Sequence, residues 1–184
     1  MIAAENDPMR ALSHDEIVDA FKDLSDRLGR KRVKAHIYIV GGAAIALAFR
    51  RSRRTFDVDA LILEGHGAVL EASREVARQR GWPDSWLNEQ ATTYLPLNPD
   101  QRAKTVFASS HLVVTGASPE HLLAMKLRSG RQADLTDIAT LVDVLQLSTA
   151  EEVFDIHDAV FPSQPIGEEQ RRAIEFFLQS HRKT

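Results

Sequence analysis

Apolar residues recur along much of the chain with the spacing of amphipathic helices. The first such run predicts a helix over residues 13–28, which begins with a capping box of Ser13 and Glu16. Its apolar side chains fall on one helix face: Ile17, Phe21, Leu24 and Leu28. The same periodicity predicts further helices over residues 43–51, 68–80, 119–128, 133–145, 150–161 and 168–181. In the last two helices we expect four aromatic side chains to pack in the core: Phe154, Phe161, Phe176 and Phe177.

Short β-rich runs predict four strands, over residues 36–40, 56–63, 104–108 and 111–114, and the last two are spaced for a hairpin. Alternation in the second strand assigns Phe56, Val58, Ala60 and Ile62 to one face, opposite Asp57, Asp59 and Leu61. Residues 82–99 hold two tryptophans and three prolines, which predicts an irregular segment with one short strand.

This order of elements predicts an α/β (α+β) fold, with a small mixed sheet and flanking helices. We place an α/β core with an N-terminal helix over residues 1–117. A C-terminal helical segment over residues 118–184 then contributes to the active site.

Composition narrows the kinds of chemistry that the chain can support. Its 184 residues include no cysteine, which excludes disulfides, thiolate metal sites and cysteine nucleophiles. The seven histidines show no pair at helix-face spacing, so a histidine zinc site is not indicated. Residues 1–10 lack the apolar core of a signal peptide, and no apolar run reaches the length of a membrane span. We therefore expect a cytoplasmic protein with no membrane partner.

The strongest chemical signal combines a Gly-Gly pair with two nearby aspartates. Gly41 and Gly42 follow the first predicted strand, where they allow a tight turn into a helix whose N–H groups favour phosphate oxygens. Asp57 and Asp59 are two apart on the next strand, so their carboxylates share a face. Such a pair suits Mg²⁺, the expected cofactor, together with substrate phosphates. The plainer alternative is a glycine turn beside a strand with two solvated aspartates.

These residues resemble the DNA polymerase β-type nucleotidyltransferase superfamily, and most closely its bacterial AbiEii and MenT toxins. The similar blocks are YIVGGAA at residues 38–44 and RTFDVDA at residues 54–60. A further block, HLLAMKL at residues 121–127, is followed by Arg131 and by DLTDI at residues 134–138. Trp86-Leu87-Asn88 is also similar, without an assigned role.

The resemblance implies a role for each matched residue. Asp57 and Asp59 would hold the metal and act as catalytic residues, and Gly41, Gly42 and Thr55 would shape the triphosphate pocket. Lys126 would neutralise phosphate charge. Asp134 would complete the site by positioning Lys126 or the acceptor. Nucleotide binding would also involve Arg54, Arg131 and Asp137.

Two of these assignments have alternatives. Asp137 lies on nearly the same helix face as Asp134, and it is either a site residue or a structural partner of Arg131 or Lys126. Arg54 belongs to a basic cluster that would bind either the triphosphate or an RNA backbone: Arg50, Arg51, Arg53 and Arg54.

The chain departs from the superfamily at one position. Many members carry a third carboxylate on a later strand. Here residues 111–114 hold no acid, and Glu89 lies in the irregular segment.

The resemblance implies transfer of a nucleoside monophosphate from an NTP, with CTP favoured, to the 3′ end of tRNA. The protein would then act as a growth-inhibiting toxin with a cognate antitoxin. Two alternatives remain open. One is transfer to a hydroxyl on a protein or small molecule, and the other is a non-catalytic binding protein with the same fold.

Overall fold

A five-stranded mixed sheet forms the centre of the molecule. The computed structural model describes residues 10–181; residues 1–9 and 182–184 lie outside the described part. The signal-peptide inference for residues 1–10 thus falls almost entirely outside the described residues. The strands are β1 (Ala35–Ile39), β2 (Val58–Glu64), β3 (Leu87–Asn88), β4 (Lys104–Ala108) and β5 (Leu112–Gly116), in the order β3-β2-β1-β5-β4. Strand β1 runs antiparallel to β2 and parallel to β5, and β4 and β5 form the predicted hairpin.

Seven α-helices surround this sheet in the described part of the chain. They are α1 (His14–Arg30), α2 (Gly41–Ala48), α3 (His66–Arg80), α4 (Pro119–Ser129), α5 (Leu135–Val144), α6 (Ala150–Val160) and α7 (Glu168–His181). Both hydrogen bonds of the capping box at Ser13 are present. The predicted fold class is thus confirmed, from the mixed sheet to the C-terminal helices. Within residues 10–181, none of the helices is both long and apolar enough to cross a membrane.

One hydrophobic core joins the sheet to the helices on both sides of the predicted domain boundary. Ile37, Ile39 and Val58 from the strands share it with Leu123 and Leu127 of α4. Asp59 alternates with Val58 and Ala60, so its side chain emerges on the opposite face of β2. One face of β2 therefore packs in the core, and the opposite face of the strand carries the Asp59 carboxylate. The boundary between residues 117 and 118 stays a prediction.

Two aromatic residues depart from their predicted positions, Phe56 from its strand face and Phe176 from the core. Phe56 is 63% exposed because β2 begins only at Val58, so the alternation of that strand does not extend to it. Phe176 is 74% exposed, whereas its neighbour Phe177 packs against the core. Successive residues on a helix are about 100° apart, and on α7 the core side carries Ile174, Phe177 and Leu178, which leaves Phe176 on the solvent side.

Candidate active site

A cleft of about 720 Å³ opens where the start of α2, the start of β2 and one face of α4 converge. A 3-10 segment, Gln90–Tyr94, closes a further side. The cleft brings together six of the ten residues predicted for the site: Gly41, Asp57, Asp59, Lys126, Arg131 and Asp134.

The turn into α2 forms the floor of this cleft. Gly41 has a φ of +65°, and a Cβ placed on it would lie 3.0 Å from Asp59 Oδ2. Val40, the N-cap of α2, provides no side-chain cap, so the first N–H groups of the helix keep their capacity to bind an anion. Gly42 contacts a different residue, Thr55. A Cβ there would lie 2.6 Å from Thr55 Oγ1, so this glycine lets buried Thr55 pack against the helix.

Gly41→Ala is expected to lower both stability and activity. Alanine at a positive φ costs about 1–2 kcal/mol, and its methyl group would push the Asp59 carboxylate out of position. We expect transfer to fall at least about tenfold, because even a small shift of a group that positions the reacting atoms slows catalysis. Urea denaturation and initial transfer rates test both effects.

Gly67→Ala is the matched control for Gly41→Ala. Gly67 lies inside α3, and a Cβ on it would have no atom within 4 Å. We expect this change to raise stability by about 0.5–1 kcal/mol and to leave transfer unchanged. Equal changes in stability and in transfer rate for the two alanine variants would contradict the role assigned to Gly41.

The two aspartates of the motif lie at the start of β2 in different surroundings. Asp57 precedes the strand, and its Oδ2 accepts a hydrogen bond from Asn88 Nδ2 at 3.1 Å. Asp59 lies on the strand, opposite Asn88 in the pairing of β2 with β3. Burial and the nearby Asp57 carboxylate raise the pKa of Asp59 to about 6, although Lys126 and Arg131 act against them. The two carboxylates therefore repel each other in a partly desolvated site.

This arrangement fits a divalent cation. Two hard carboxylates face one cleft, and burial together with the Asp57 charge raises the pKa of Asp59 despite the nearby Lys126 and Arg131. Magnesium is commonly held by one or two carboxylates together with water and substrate phosphates. In the described part of the chain, no group of three histidine, cysteine or acidic side chains could hold a metal ion. Glu89 is directed elsewhere, towards His66 and the backbone N–H of Ile62.

Asp59→Asn is expected to stabilise the metal-free protein at neutral pH. Folding raises the pKa of Asp59 from 3.8 to about 6, so the folded protein binds this proton more tightly than the unfolded chain does. The resulting stability is fully present below about pH 4 and is lost as pH rises through 6. A shift of this size corresponds to about 3 kcal/mol, and partial exposure reduces our expectation to about 1–2 kcal/mol. Urea denaturation in EDTA at pH 8 should show this gain for the asparagine variant, and the gain should vanish near pH 4.

The same urea denaturation is repeated with Mg²⁺ in place of EDTA. The cation should stabilise the wild type and not Asp59→Asn, because only the former keeps both ligands. Equal stability of the two metal-free proteins at pH 8 would contradict the repulsion that we infer between Asp57 and Asp59.

Lys126 lies on the far wall of the cleft within a network of charges. Its Nζ donates to Asp134 Oδ1 at 2.5 Å and to Asp137 Oδ2 at 3.1 Å. Arg53 donates to both oxygens of Asp137, at 2.8 and 3.1 Å, and Ser129 donates to Asp134. Burial opposes ionisation of Asp137, but Arg53 and Lys126 outweigh it and hold its pKa below the ordinary value. The two carboxylates thus position the lysine ammonium towards the cleft.

The network gives the contacts of each member of the acidic pair. Asp134 holds Lys126, and Asp137 is a buried partner of Lys126 and Arg53 rather than of Arg131. Asp137 does not line the cleft, whereas Arg131 does and is exposed.

The basic cluster lies outside the cleft. None of its four arginines is among the described residues that line the cavity. Arg54 donates to the Ala11 carbonyl, Arg51 pairs with Asp15, Arg50 contacts Thr140, and Arg53 braces Asp137. A role for Arg54 in nucleotide binding stays a prediction.

Sequence reasoning missed the contributions of Asn88 and Arg53. Asn88 is nearly buried, and besides holding Asp57 its Oδ1 accepts a hydrogen bond from the Gln90 N–H. The similarity of Trp86-Leu87-Asn88 was the available signal. Trp86 is fully buried, and its indole N–H donates to the Ser73 carbonyl, so it anchors the segment that presents Asn88.

Comparison with known proteins agrees with this geometry. A family described as "Nucleotidyltransferase of unknown function (DUF6036)" matches residues 15–178. No curated protein and no solved structure gives a significant match. The matched range includes the glycine turn, both aspartates and the Lys126 network. The chain therefore belongs to the DUF6036 family of nucleotidyltransferases.

Proposed function

We propose that the protein transfers a nucleoside monophosphate from an NTP to a hydroxyl group, with Mg²⁺ as cofactor. The observation that carries the proposal is one cleft that combines three features. These are the Asp57 and Asp59 carboxylates, the uncapped N-terminus of α2, and Lys126 on the facing wall.

Each side of the cleft would bind a different part of the triphosphate. The free N–H groups at the start of α2 would accept phosphate oxygens, since Gly41 exposes the backbone there. Lys126 would add a positive charge while Asp134 and Asp137 keep it in place. Arg131 is exposed at the cleft and would contact the outer phosphates or the acceptor.

The reaction would be an in-line displacement at the α-phosphorus. The acceptor hydroxyl oxygen forms a bond to this phosphorus, and the bond to the bridging oxygen of the β-phosphate breaks. Pyrophosphate leaves with the electron pair, and the hydroxyl proton passes to water. Magnesium held by Asp57 and Asp59 would supply charge stabilisation for the phosphates. The protein would contribute mainly positioning and fixed charge.

For the acceptor, we propose the 3′ end of tRNA, with CTP as donor, in a toxin controlled by an antitoxin. The support is the resemblance of three sequence blocks to the AbiEii and MenT toxins. A hydroxyl on a protein or small molecule is the second candidate. The net charge of −3, together with the engagement of the basic cluster away from the cleft, favours this alternative.

The test is transfer from four α-³²P-labelled NTPs into a cell extract and into purified total tRNA. We expect Mg²⁺-dependent label in tRNA, greatest with CTP. Label that survives RNase but not protease would replace tRNA with a protein acceptor. Label in neither polymer, with all four nucleotides, would contradict the proposed transfer to macromolecules. If no labelled small product formed either, the result would favour the non-catalytic binding protein.

A further inference from the structure

A second cavity, here called the side pocket, adjoins the active-site cleft. It has a volume of about 230 Å³ and shares Thr93 and Arg128 with the cleft as common walls. Its far wall is formed by the end of α6 and the turn that follows, including Phe161 and Ser163. The volume is below the ~300–1,000 Å³ typical of pockets that enclose a whole ligand, so the side pocket suits one part of a larger molecule.

The chemistry of the side pocket is distinct from that of the cleft. Of the described residues that line it, none is acidic and Arg128 alone is charged. The Arg128 guanidinium lies 4.8 Å from the centre of the buried Phe161 ring, which supports one face of the guanidinium plane. Among residues 10–181, no ion pair is found between Arg128 and a carboxylate. Asn98 and Gln164 add side-chain amides, which can both donate and accept hydrogen bonds.

These features indicate a flat, neutral, hydrogen-bonding group attached to a negatively charged chain. An acceptor rich in ammonium groups would be repelled by Arg128 and would meet no carboxylate in the pocket. A nucleobase meets the requirements, because bases stack on guanidinium planes and carry polar edges. The adjoining phosphate would then lie near Arg128 or Arg131.

We propose that the side pocket binds the base of the acceptor's terminal nucleotide, stacked on Arg128, and so directs its ribose hydroxyl into the cleft. The proposal rests on the proposed function for the identity of the acceptor as a nucleic acid. It assigns Arg128 and the turn after α6 to acceptor selection, whereas Asp57, Asp59 and Lys126 serve the donor NTP.

Binding of a 5′-labelled single-stranded RNA of about eight nucleotides, followed by fluorescence anisotropy without NTP, tests this assignment. Two versions of the probe are compared, one intact and one without the base of its 3′-terminal nucleotide. We expect the wild type to bind the intact RNA about five- to hundredfold more tightly than the abasic RNA. Arg128→Ala should lose most of that difference.

A second variant separates the side pocket from the cleft. Ser163 is exposed and lines only the side pocket, so Ser163→Trp would fill this space without a core substitution. It should remove the discrimination between intact and abasic RNA, while the affinity for NTP stays within about twofold. Arg172→Ala, at an exposed position on α7, is the control for the loss of one positive charge, and it should keep the discrimination.

Two results would overturn the proposal: a wild type that binds both RNAs equally or not at all, or Ser163→Trp with undiminished discrimination. Transfer of labelled NMP to the same RNA is measured in parallel. Base-dependent binding without transfer would contradict the proposed function and support the role of the side pocket. Transfer without base dependence would contradict only the role of the side pocket.

Discussion

Replacing Asp57 with asparagine is expected to slow nucleotidyl transfer about a thousandfold, which corresponds to roughly 4 kcal/mol of transition-state stabilisation. The substitution removes one of two cation ligands but keeps the size of the side chain. Its new amide can still bond to Asn88, and the Thr55 hydroxyl still donates to the backbone carbonyl of residue 57. The fold should therefore survive, and the loss should appear in initial rates at saturating NTP and Mg²⁺.

Two further variants calibrate this result. Asn88→Ala removes the amide that orients Asp57 but leaves both carboxylates in the sequence. We expect the transfer rate to fall about ten- to hundredfold. Asp155→Asn removes a carboxylate from the exposed face of α6 and should transfer at the wild-type rate. Wild-type transfer by Asp57→Asn would rule out Asp57 as a catalytic ligand.

Lys126→Met is expected to cost about 3–5 kcal/mol of unfolding free energy and to lower transfer at least about a hundredfold. Methionine preserves much of the side-chain volume but removes the ammonium group that joins two buried carboxylates. Asp134 and Asp137 are only 9% and 2% exposed in their side chains, so neither can recover its hydration. Total stabilities of domains are about 5–15 kcal/mol, so we expect a large shift in the urea midpoint at pH 7.

The double variant Lys126→Met with Asp134→Asn separates folding from function. Asp137 keeps its bonds to Arg53, so Asp134 is the carboxylate that loses its ion-pair partner. Neutralising Asp134 should therefore restore part of the lost stability, whereas transfer should stay low. Lys22→Met is the surface control, because Lys22 and its partner Asp19 are 62% and 57% exposed. It should change stability by no more than about 0.5 kcal/mol. A stable Lys126→Met protein would contradict the inferred role of the buried network.

The tertiary structure explains why Asp57 and Asp59 differ although they are two residues apart. Asp57 precedes β2 and is held by Asn88, while Asp59 lies on the strand beside Gly41. Sequence spacing predicted that both carboxylates would face the same side. It contained no information on burial, which together with Asp57 raises the pKa of Asp59. The unequal surroundings of the two carboxylates are therefore a consequence of packing.

The sequence by itself determined the elements and the position of the motif. Helix and strand periodicity, the capping box at Ser13 and the Gly-Gly turn depend on residues a few positions apart, and local chemistry specifies them. Only the tertiary structure decided the partners that are distant in the chain. These include Asn88 for Asp57, Arg53 for Asp137, and the place of β1 between β2 and β5. Such contacts depend on how the whole core packs, and local spacing does not encode them.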